Sequence, residues 1–331
     1  MKLSYKERIN NVKPVVVVSR CLGFEMCRFN GQMDGCNLVD KLKDYVDFIT
    51  VCPEVQIGLD TPREAIRIVK EDELSPIKLV QHVTETELSK EMFEFGEEFL
   101  KCLPKVDGFL MKSKSPSCGI KEVKIYKGIQ KGSASVKGKG LFGGLVMDKF
   151  PSAAVEDDGR VKNYNIRQHF LTKLYIMKNF RVIEETMLIE DLVEFHSTNK
   201  LLLMSYNQKQ LKILGSIIGR HGELTAKQVY EEYAINLNLA LNKLPRYTSN
   251  INVLIKSMGY FSDKLTHREK EFILNIIKQY RESKVPFSVP LYVIKSNAIR
   301  FEEKNLINQT FFEPYPLQLD NVTDSGKGLD K

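Results

Sequence analysis

The sequence contains no tryptophan, no Cys-x-x-Cys pair and no apolar run approaching the roughly 18 residues of a membrane-spanning helix. The missing cysteine pairs exclude a zinc ribbon and a thioredoxin-type redox motif. The missing apolar run argues against a membrane span. The lack of tryptophan excludes little. Charge is not one-sided either: 49 Lys and Arg oppose 42 Asp and Glu, a formal net charge of +7. Such an excess tolerates an anionic partner but makes no case for a nucleic-acid surface. The first eight residues are polar and carry no apolar signal-peptide core, so a cytoplasmic location is the expectation.

With 43% hydrophobic and 27% charged residues, global disorder is excluded. At roughly 100–200 residues per domain, the length suggests about two domains. The first half alternates two kinds of segment. Residues 15–18, four consecutive valines, read as a buried strand. Residues 46–51 and 106–111 read as two more. Residues 37–46 and 85–103 have helical spacing. Thr61-Pro62-Arg63 looks like a helix start, with strand over 66–69 as the alternative. Residues 128–144, rich in glycine and lysine, read as a flexible loop, and 151–160 contain an acidic turn, Glu156-Asp157-Asp158-Gly159. Helix is expected at 141–150 and 163–180. Alternation of this kind implies an α/β domain with a mostly parallel sheet and flanking helices.

After about residue 185 strand signals nearly vanish. Residues 188–203, 208–218, 225–244, 250–260 and 266–283 read as helices, with Thr266 and Glu269 matching a capping box. The expected organisation is an α/β domain over 1–183, an all-α domain over 184–316 and a mobile tail over 317–331.

The six cysteines are Cys21, Cys27, Cys36, Cys52, Cys102 and Cys118. In a reducing compartment they do not form a disulfide scaffold. Three share one context. Cys21 comes three residues after the valine run, Cys52 directly follows the second strand, and Cys118 follows the third across a Ser/Lys loop. All three fall beyond the carboxyl ends of strands, where open α/β sheets place ligands. If the strands are neighbours, three thiols meet in one crevice. Such a set suits a soft metal or an iron–sulfur cluster. A four-iron cluster held by three cysteines leaves one iron open to substrate. The plainer alternative is three ordinary buried cysteines.

The residues around these cysteines carry a resemblance. Ser19-Arg20-Cys21-Leu22-Gly23 with Cys27-Arg28-Phe29-Asn30-Gly31 forms the first motif. Val51-Cys52-Pro53-Glu54-Val55 with Gly58-Leu59-Asp60-Thr61-Pro62-Arg63 forms the second, and Lys114-Ser115-Pro116-Ser117-Cys118-Gly119 the third. Over residues 12–180 the chain resembles the TudS-type thiouracil desulfidase domain, long catalogued as a domain of unknown function. Residues 187–316 resemble the helical YbgA-type domain, through Leu192-Val193-Glu194-Phe195-His196, Lys200 to Ser205 and Gln309 to Pro316.

The resemblance implies a [4Fe-4S] cluster on Cys21, Cys52 and Cys118, and catalysis by Glu54 and Ser115. The implied reaction removes sulfur from 2-thiouracil or a related thiolated base. Substrate sulfur binds the open iron, and Glu54 and Ser115 handle protons. The small thiolated base is the expected partner; the sequence fixes no oligomeric state. The alternatives are desulfuration of another thiolated metabolite, or a nucleic-acid- or partner-binding protein whose cluster is not catalytic.

The other candidates are read more plainly. Cys27 and Cys36 lie near the first motif as substitute or accessory thiols, and Cys102 as core. Arg63 reads equally as a substrate contact or a salt bridge. Lys112 and Lys114 either lower nearby thiol pKa values or are solvated. Residues 131–140 lack Walker-A spacing, which rejects a P-loop. His82, His169, His196, His221 and His267 read as packed or surface histidines.

Overall fold

The structure, a computed structural model, describes residues 4–130, 132–321 and 323–327. The chain divides into two compact units. The α/β unit takes Val12–Lys178 and the described residues of Gln318–Lys331. The helical unit takes the described residues of Met1–Asn11 and Asn179–Leu317.

Helix α1 (Tyr5–Asn10) opens the described chain and belongs to the helical unit. The α/β unit then runs β1 (Val15–Ser19), α2 (Asn37–Leu42), β2 (Asp47–Val51), α3 (Pro53–Gln56), β3 (Ile66–Val69) and β4 (Lys78–Gln81). It continues with α4 (Ser89–Cys102), β5 (Gly108–Met111), β6 (Val123–Tyr126), β7 (Ser135–Gly138), α5 (Leu141–Lys149) and β8 (Ala154–Asp157).

The three strands expected from the sequence are neighbours. Their sheet has the order β2-β1-β5-β8 and every pairing is parallel. Val16 lies opposite Phe48 on one side and Gly108 on the other. β1 is central, and Val16, Val17 and Val18 are fully buried; β-branched side chains suit a strand covered on both faces. Glycine at 108 permits close packing, because a Cβ there would stand 2.9 Å from both the Ala154 carbonyl oxygen and Leu174 Cδ1. Asp107, just before β5, accepts from the Val15 amide at 2.8 Å and ties the starts of β1 and β5 together.

Of a second sheet, of order β4-β3-β6-β7, only β3 was legible, as the alternative reading of 66–69. Its inner pair β3–β6 is parallel and its outer pairs are antiparallel. Each strand has only four residues, and pairing rather than local propensity defines them. Three expectations change accordingly. Residues 135–138 of the supposed flexible loop are β7, and 154–157, which include the first two residues of the supposed acidic turn, are β8. Thr61-Pro62-Arg63 begins no helix; a cis Thr61–Pro62 peptide leads on to β3. Helix α4 starts at Ser89 rather than 85, because Glu87 is bridged to Val80. α4 crosses α5 closely at Gly96, where a Cβ would stand 2.6 Å from Leu145 Cδ1, and the Phe95, Phe99 and Phe142 rings pack alongside.

Helix α6 (Tyr164–Thr186) carries the chain into the helical unit, the division falling after Lys178. There follow α7 (Ile189–Tyr206), α8 (Gln208–Gly219), α9 (Ala226–Ala240), α10 (Tyr247–Gly259), α11 (His267–Arg281), α12 (Ser288–Arg300) and α13 (Lys304–Ile307). Phe180, Phe195, Tyr230 and Tyr233 form its aromatic core, with Phe180 centred 5.6–6.0 Å from the other three. Thr225 with Gln228 and Thr266 with Glu269 form capping boxes. Among the described residues no helix is long and apolar enough to cross a membrane.

The two ends of the chain depart from the expected organisation. Residues 4–11 group with the helical unit because their partners are there: Tyr5 lies beside Thr198, Lys6 Nζ donates to Asn308 Oδ1 at 3.0 Å, and Arg8 pairs with Asp191. The described tail residues are hydrogen-bonded to the α/β unit. Arg167 Nη2 donates to the carbonyls of Asn321 and Thr323 at 2.6 Å each, and Asp324 Oδ1 accepts from the Tyr164 amide at 2.9 Å. Val322 and residues 328–331 of the expected tail lie outside the described residues.

Candidate functional site

β1, β2 and β5 point the same way, so the loops that leave them share one edge of the sheet. Cys21 stands two residues past β1, Cys52 directly follows β2, and Lys112–Cys118 follows β5. β2 lies on one side of β1 and β5 on the other, so the winding reverses at β1, and open α/β sheets bind ligands at such a point.

Four buried thiols gather at this edge: Cys21, Cys27, Cys52 and Cys118. The Cys27 thiol lies beside those of Cys21 and Cys52. The Cys52 thiol also donates to the Cys27 carbonyl at 3.8 Å. Cys118 lies within electrostatic reach of Cys52 and Glu54, with Ser19 and Ser117 bonded to its side chain. Its burial pushes its thiol up to about 12. Contact with Cys21 helps push Cys27 up to about 11, and contact with Cys27 followed by burial raises Cys52 further. These three thiols stay protonated at neutral pH unless a cation replaces the proton. Nucleophilic cysteines need the opposite shift, so these groups are not activated as nucleophiles, and a cation that binds them has to displace their protons.

Among the described residues no three His, Cys, Asp or Glu side chains gather as the ligands of a single metal ion. Thiolates on a cluster each bind a different iron and stand farther apart than ligands sharing one ion. A buried, all-sulfur donor set fits an iron–sulfur cluster on those terms.

Glu54 enters the site through local sequence. Cys52 precedes the short α3, Pro53 takes its first turn, and Glu54 follows, buried. Both carboxylate oxygens are engaged. Oε2 accepts from Arg63 Nε at 2.9 Å and Nη2 at 2.6 Å. Oε1 accepts from Ser117 Oγ at 2.6 Å. The Arg63 side chain is only 4% exposed, and Nη1 donates to the Asp60 carbonyl and Thr61 Oγ1. Arg63 is therefore the salt bridge rather than a free substrate contact.

Ser115 and Glu54, the expected pair, are joined through Ser117. A serine hydroxyl has one proton, and that of Ser117 goes to Glu54. The 2.9 Å bond between the two serine hydroxyls is therefore donated by Ser115. Ser115 Oγ in turn accepts from the amides of Ser117 and Cys118, a local turn that fixes it. The start of α5 holds this loop from behind. Gly140, Leu141 and Gly143 amides donate to the carbonyls of Gly119, Pro116 and Ser117 at 2.7, 3.1 and 2.9 Å. A Cβ on Gly140 would stand 2.5 Å from the Ser117 oxygen, and one on Gly143 2.4 Å from the Gly119 oxygen.

The Lys112 ammonium is paired with two carboxylates. It donates to Asp158 at 2.7 Å and meets Asp34 at 3.0 Å, and the Lys112 amide donates to Ser19 Oγ at 2.9 Å. Lys114 is exposed, in a left-handed conformation. Cys36 is buried before α2, in the field of Asp158 and Asp40. Cys102 ends α4 exposed instead of in the core, because it falls on the outward face of the last turn, while Leu100 in that turn is buried. A cavity of about 300 Å³ in the α/β unit is lined by Cys36, Lys41, Asp158, Arg167 and Asn321 among others, but by neither Glu54 nor the other thiols. His196 Nδ1 bonds Tyr233 Oη at 3.0 Å, His221 bonds the Ile218 carbonyl and His267 faces Glu271. His169 is half-buried, while His82 has a buried Nδ1 without a hydrogen-bond partner. Lys131 lies outside the described residues.

Sequence reasoning assigned only the first serine of the third motif. The second, Ser117, was visible in the same five residues, but nothing local shows which hydroxyl turns toward Glu54.

A parallel α/β unit with buried thiols and a clamped carboxylate at its carboxyl edge, followed by a helical unit, defines the class of protein. Residues 16–158 match the family model described as 2-thiouracil desulfurase, and residues 200–316 that described as a protein of unknown function, DUF1722. The first match falls within the α/β unit and the second within the helical unit. Over 136 residues, 41% of this chain and 80% of the relative, it is 26% identical to the uncharacterized protein YbgA of Escherichia coli K12. Over 137 residues, 40% of this chain and 89% of the relative, it is 28% identical to the uncharacterized protein YbbK of Bacillus subtilis 168. A solved structure of the [4Fe-4S]-dependent thiouracil desulfidase TudS is 29% identical, covers 45% of this chain and 93% of its own, and gives a TM-score of 0.37.

Proposed function

We propose that the α/β unit is a desulfidase that removes sulfur from a thiolated nucleobase such as 2-thiouracil, in the cytoplasm, using a [4Fe-4S] cluster held by Cys21, Cys52 and Cys118. The family match supports the reaction class. The observation that carries the site is one atom: Ser117 Oγ lies 2.6 Å from Glu54 Oε1 and 3.8 Å from Cys118 Sγ, joining a proton-handling carboxylate to the thiols.

When bound, the cluster supplies a Lewis-acidic iron with affinity for a thiocarbonyl sulfur. The chain's own residues do the rest. Arg63 fixes the Glu54 carboxylate in one orientation. Glu54 accepts a proton from the attacking water. Ser117, and Ser115 behind it, hold a hydroxyl chain along which that proton is returned. In sum, a thiocarbonyl and water become a carbonyl and hydrogen sulfide, with no electrons exchanged.

Anaerobic reconstitution with iron and sulfide tests the reading. The expected result is about four irons per chain, a broad iron–sulfur absorbance and sulfide release from 2-thiouracil. A folded chain that takes up no iron overturns it. A panel of other thiolated compounds measures how far the substrate range extends.

A further inference from the structure

The cavity of about 300 Å³ in the α/β unit is lined by none of the residues assigned to the proposed reaction. Its size falls at the lower end of the range for small-molecule pockets. Three stretches of chain build it. Residues 35–41 lead from the loop after β1 into α2, residues 158–167 follow β8, and residues 319–325 return from the far end of the chain. Arg167 fastens the last stretch through the Asn321 and Thr323 carbonyls, and the Ser325 amide donates to the Lys162 carbonyl at 3.0 Å.

Five charged residues line the cavity: Lys41, Lys162, Arg167, Asp158 and Asp324. Both carboxylates are engaged. Asp158 accepts from Lys112 Nζ and the Ser113 amide at 2.7 Å each, and Asp324 from the Tyr164 and Gly326 amides at 2.9 and 3.0 Å. The cations are not neutralised: among the described residues no carboxylate forms a salt bridge with Lys41, Lys162 or Arg167. Arg167 is 5% exposed, its Nη atoms donate to main-chain carbonyls, and its Nε has no hydrogen-bond partner. A buried charge without a counter-ion is costly, and an anion in the cavity supplies one. The guanidinium fork that would grip a carboxylate is already taken by carbonyls. What remains free is two ammonium groups, point charges with three donors each, which suit a multiply charged anion. Beside them, Leu38, Val161 and Leu319 form a buried apolar wall.

We infer that this cavity binds a small organic phosphomonoester. Lys41 and Lys162 hold its dianion in the field of Arg167, and its organic body lies against Leu38, Val161 and Leu319. The inference goes beyond the desulfidase reading and stands without it.

Titration calorimetry of the full-length protein with phenyl phosphate, inorganic phosphate and benzoate tests it. The expected result is one phenyl phosphate per chain. It should bind more tightly than inorganic phosphate, which has no organic body, and than benzoate, which carries a single charge. Lys41 is half-buried and Lys162 exposed, so both can be replaced without loss of folding. Lys41→Gln and Lys162→Gln should each weaken phenyl phosphate about tenfold, the loss of one charge-assisted bond. Lys43, outside the cavity, already pairs with Asp40, and Lys43→Gln should leave the affinity unchanged. Hydrogen exchange locates the ligand: phenyl phosphate should protect amides at the start of α2 and in residues 323–325. No binding of phenyl phosphate overturns the inference. Inorganic phosphate or benzoate bound as tightly overturns the ligand class. An equal loss in Lys43→Gln, or protection confined to other segments, overturns the site.

Discussion

Ser117 Oγ donates to Glu54 Oε1 at 2.6 Å and receives the hydroxyl proton of Ser115 at 2.9 Å, so the two serines and the carboxylate form one directed chain. Breaking it at the middle separates proton transfer from cluster assembly. Ser117→Ala is expected to retain iron and lower the turnover of 2-thiouracil by roughly 10²-fold, the lower end of general acid–base effects. Iron content and initial rates of sulfide release check this. An unchanged rate with full iron would remove Ser117 from the reaction.

Arg63 and Glu54 form a buried pair, with side chains 4% and 11% exposed. Removing one partner leaves the other charged and unpaired. Arg63→Met is expected to cost about 3–5 kcal/mol of stability, the usual range for breaking such a pair. Urea unfolding followed by circular dichroism measures it. The double variant Arg63→Met/Glu54→Gln should recover part of the loss, and failure to do so would mean that the pair contributes through packing alone.

The glycines of α5 divide by what surrounds them. A Cβ on Gly143 collides with backbone at 2.4 Å, whereas on Gly144 it meets only Lys139 Cβ at 3.9 Å. Gly143→Ala should displace the Ser115–Gly119 loop and abolish iron uptake. Gly144→Ala should stabilise the helix by about 0.5–1 kcal/mol. Paired melting curves and iron analyses separate the two outcomes.

In the helical unit, burial and then the charge of Lys200 push His196 down to about 4 from 6.5. The native state therefore declines a proton that the unfolded chain accepts. The contribution of this group is fully present above pH 6.5 and is lost as pH falls toward 4, up to about 3 kcal/mol at 1.36 kcal/mol per unit. His196→Gln should flatten the dependence of the urea midpoint on pH across that window. An equal slope in both proteins would place the titration elsewhere.

The parts of the fold that were legible in the sequence are those written in consecutive residues. Four valines can only be a strand covered on both faces, and the cysteines after it and its neighbours follow from strand direction. Beyond the strand over 66–69 the second sheet was invisible, because its short strands gain their stability from partners elsewhere in the chain: Ile68 pairs with Ile125, and Lys124 with Lys137. The same holds at the site. Cys-Pro-Glu and Ser-Pro-Ser-Cys-Gly reveal which residue types are present. They do not reveal that Arg63 grips Glu54, that Ser117 stands between the carboxylate and Ser115, or that Cys27 turns inward, since each depends on a loop closing over another element.

Each unit is assembled from two separate stretches of chain, and this limits how the protein can be dissected. A fragment cloned as residues 184–316 forfeits Tyr5 and Arg8, leaving Thr198 and Asp191 without those partners. One cloned as residues 1–183 strips Arg167 of two carbonyl acceptors. Deletion mapping would then report misfolded halves as if they were inactive ones, so a faithful half has to be spliced from both ends of the polypeptide.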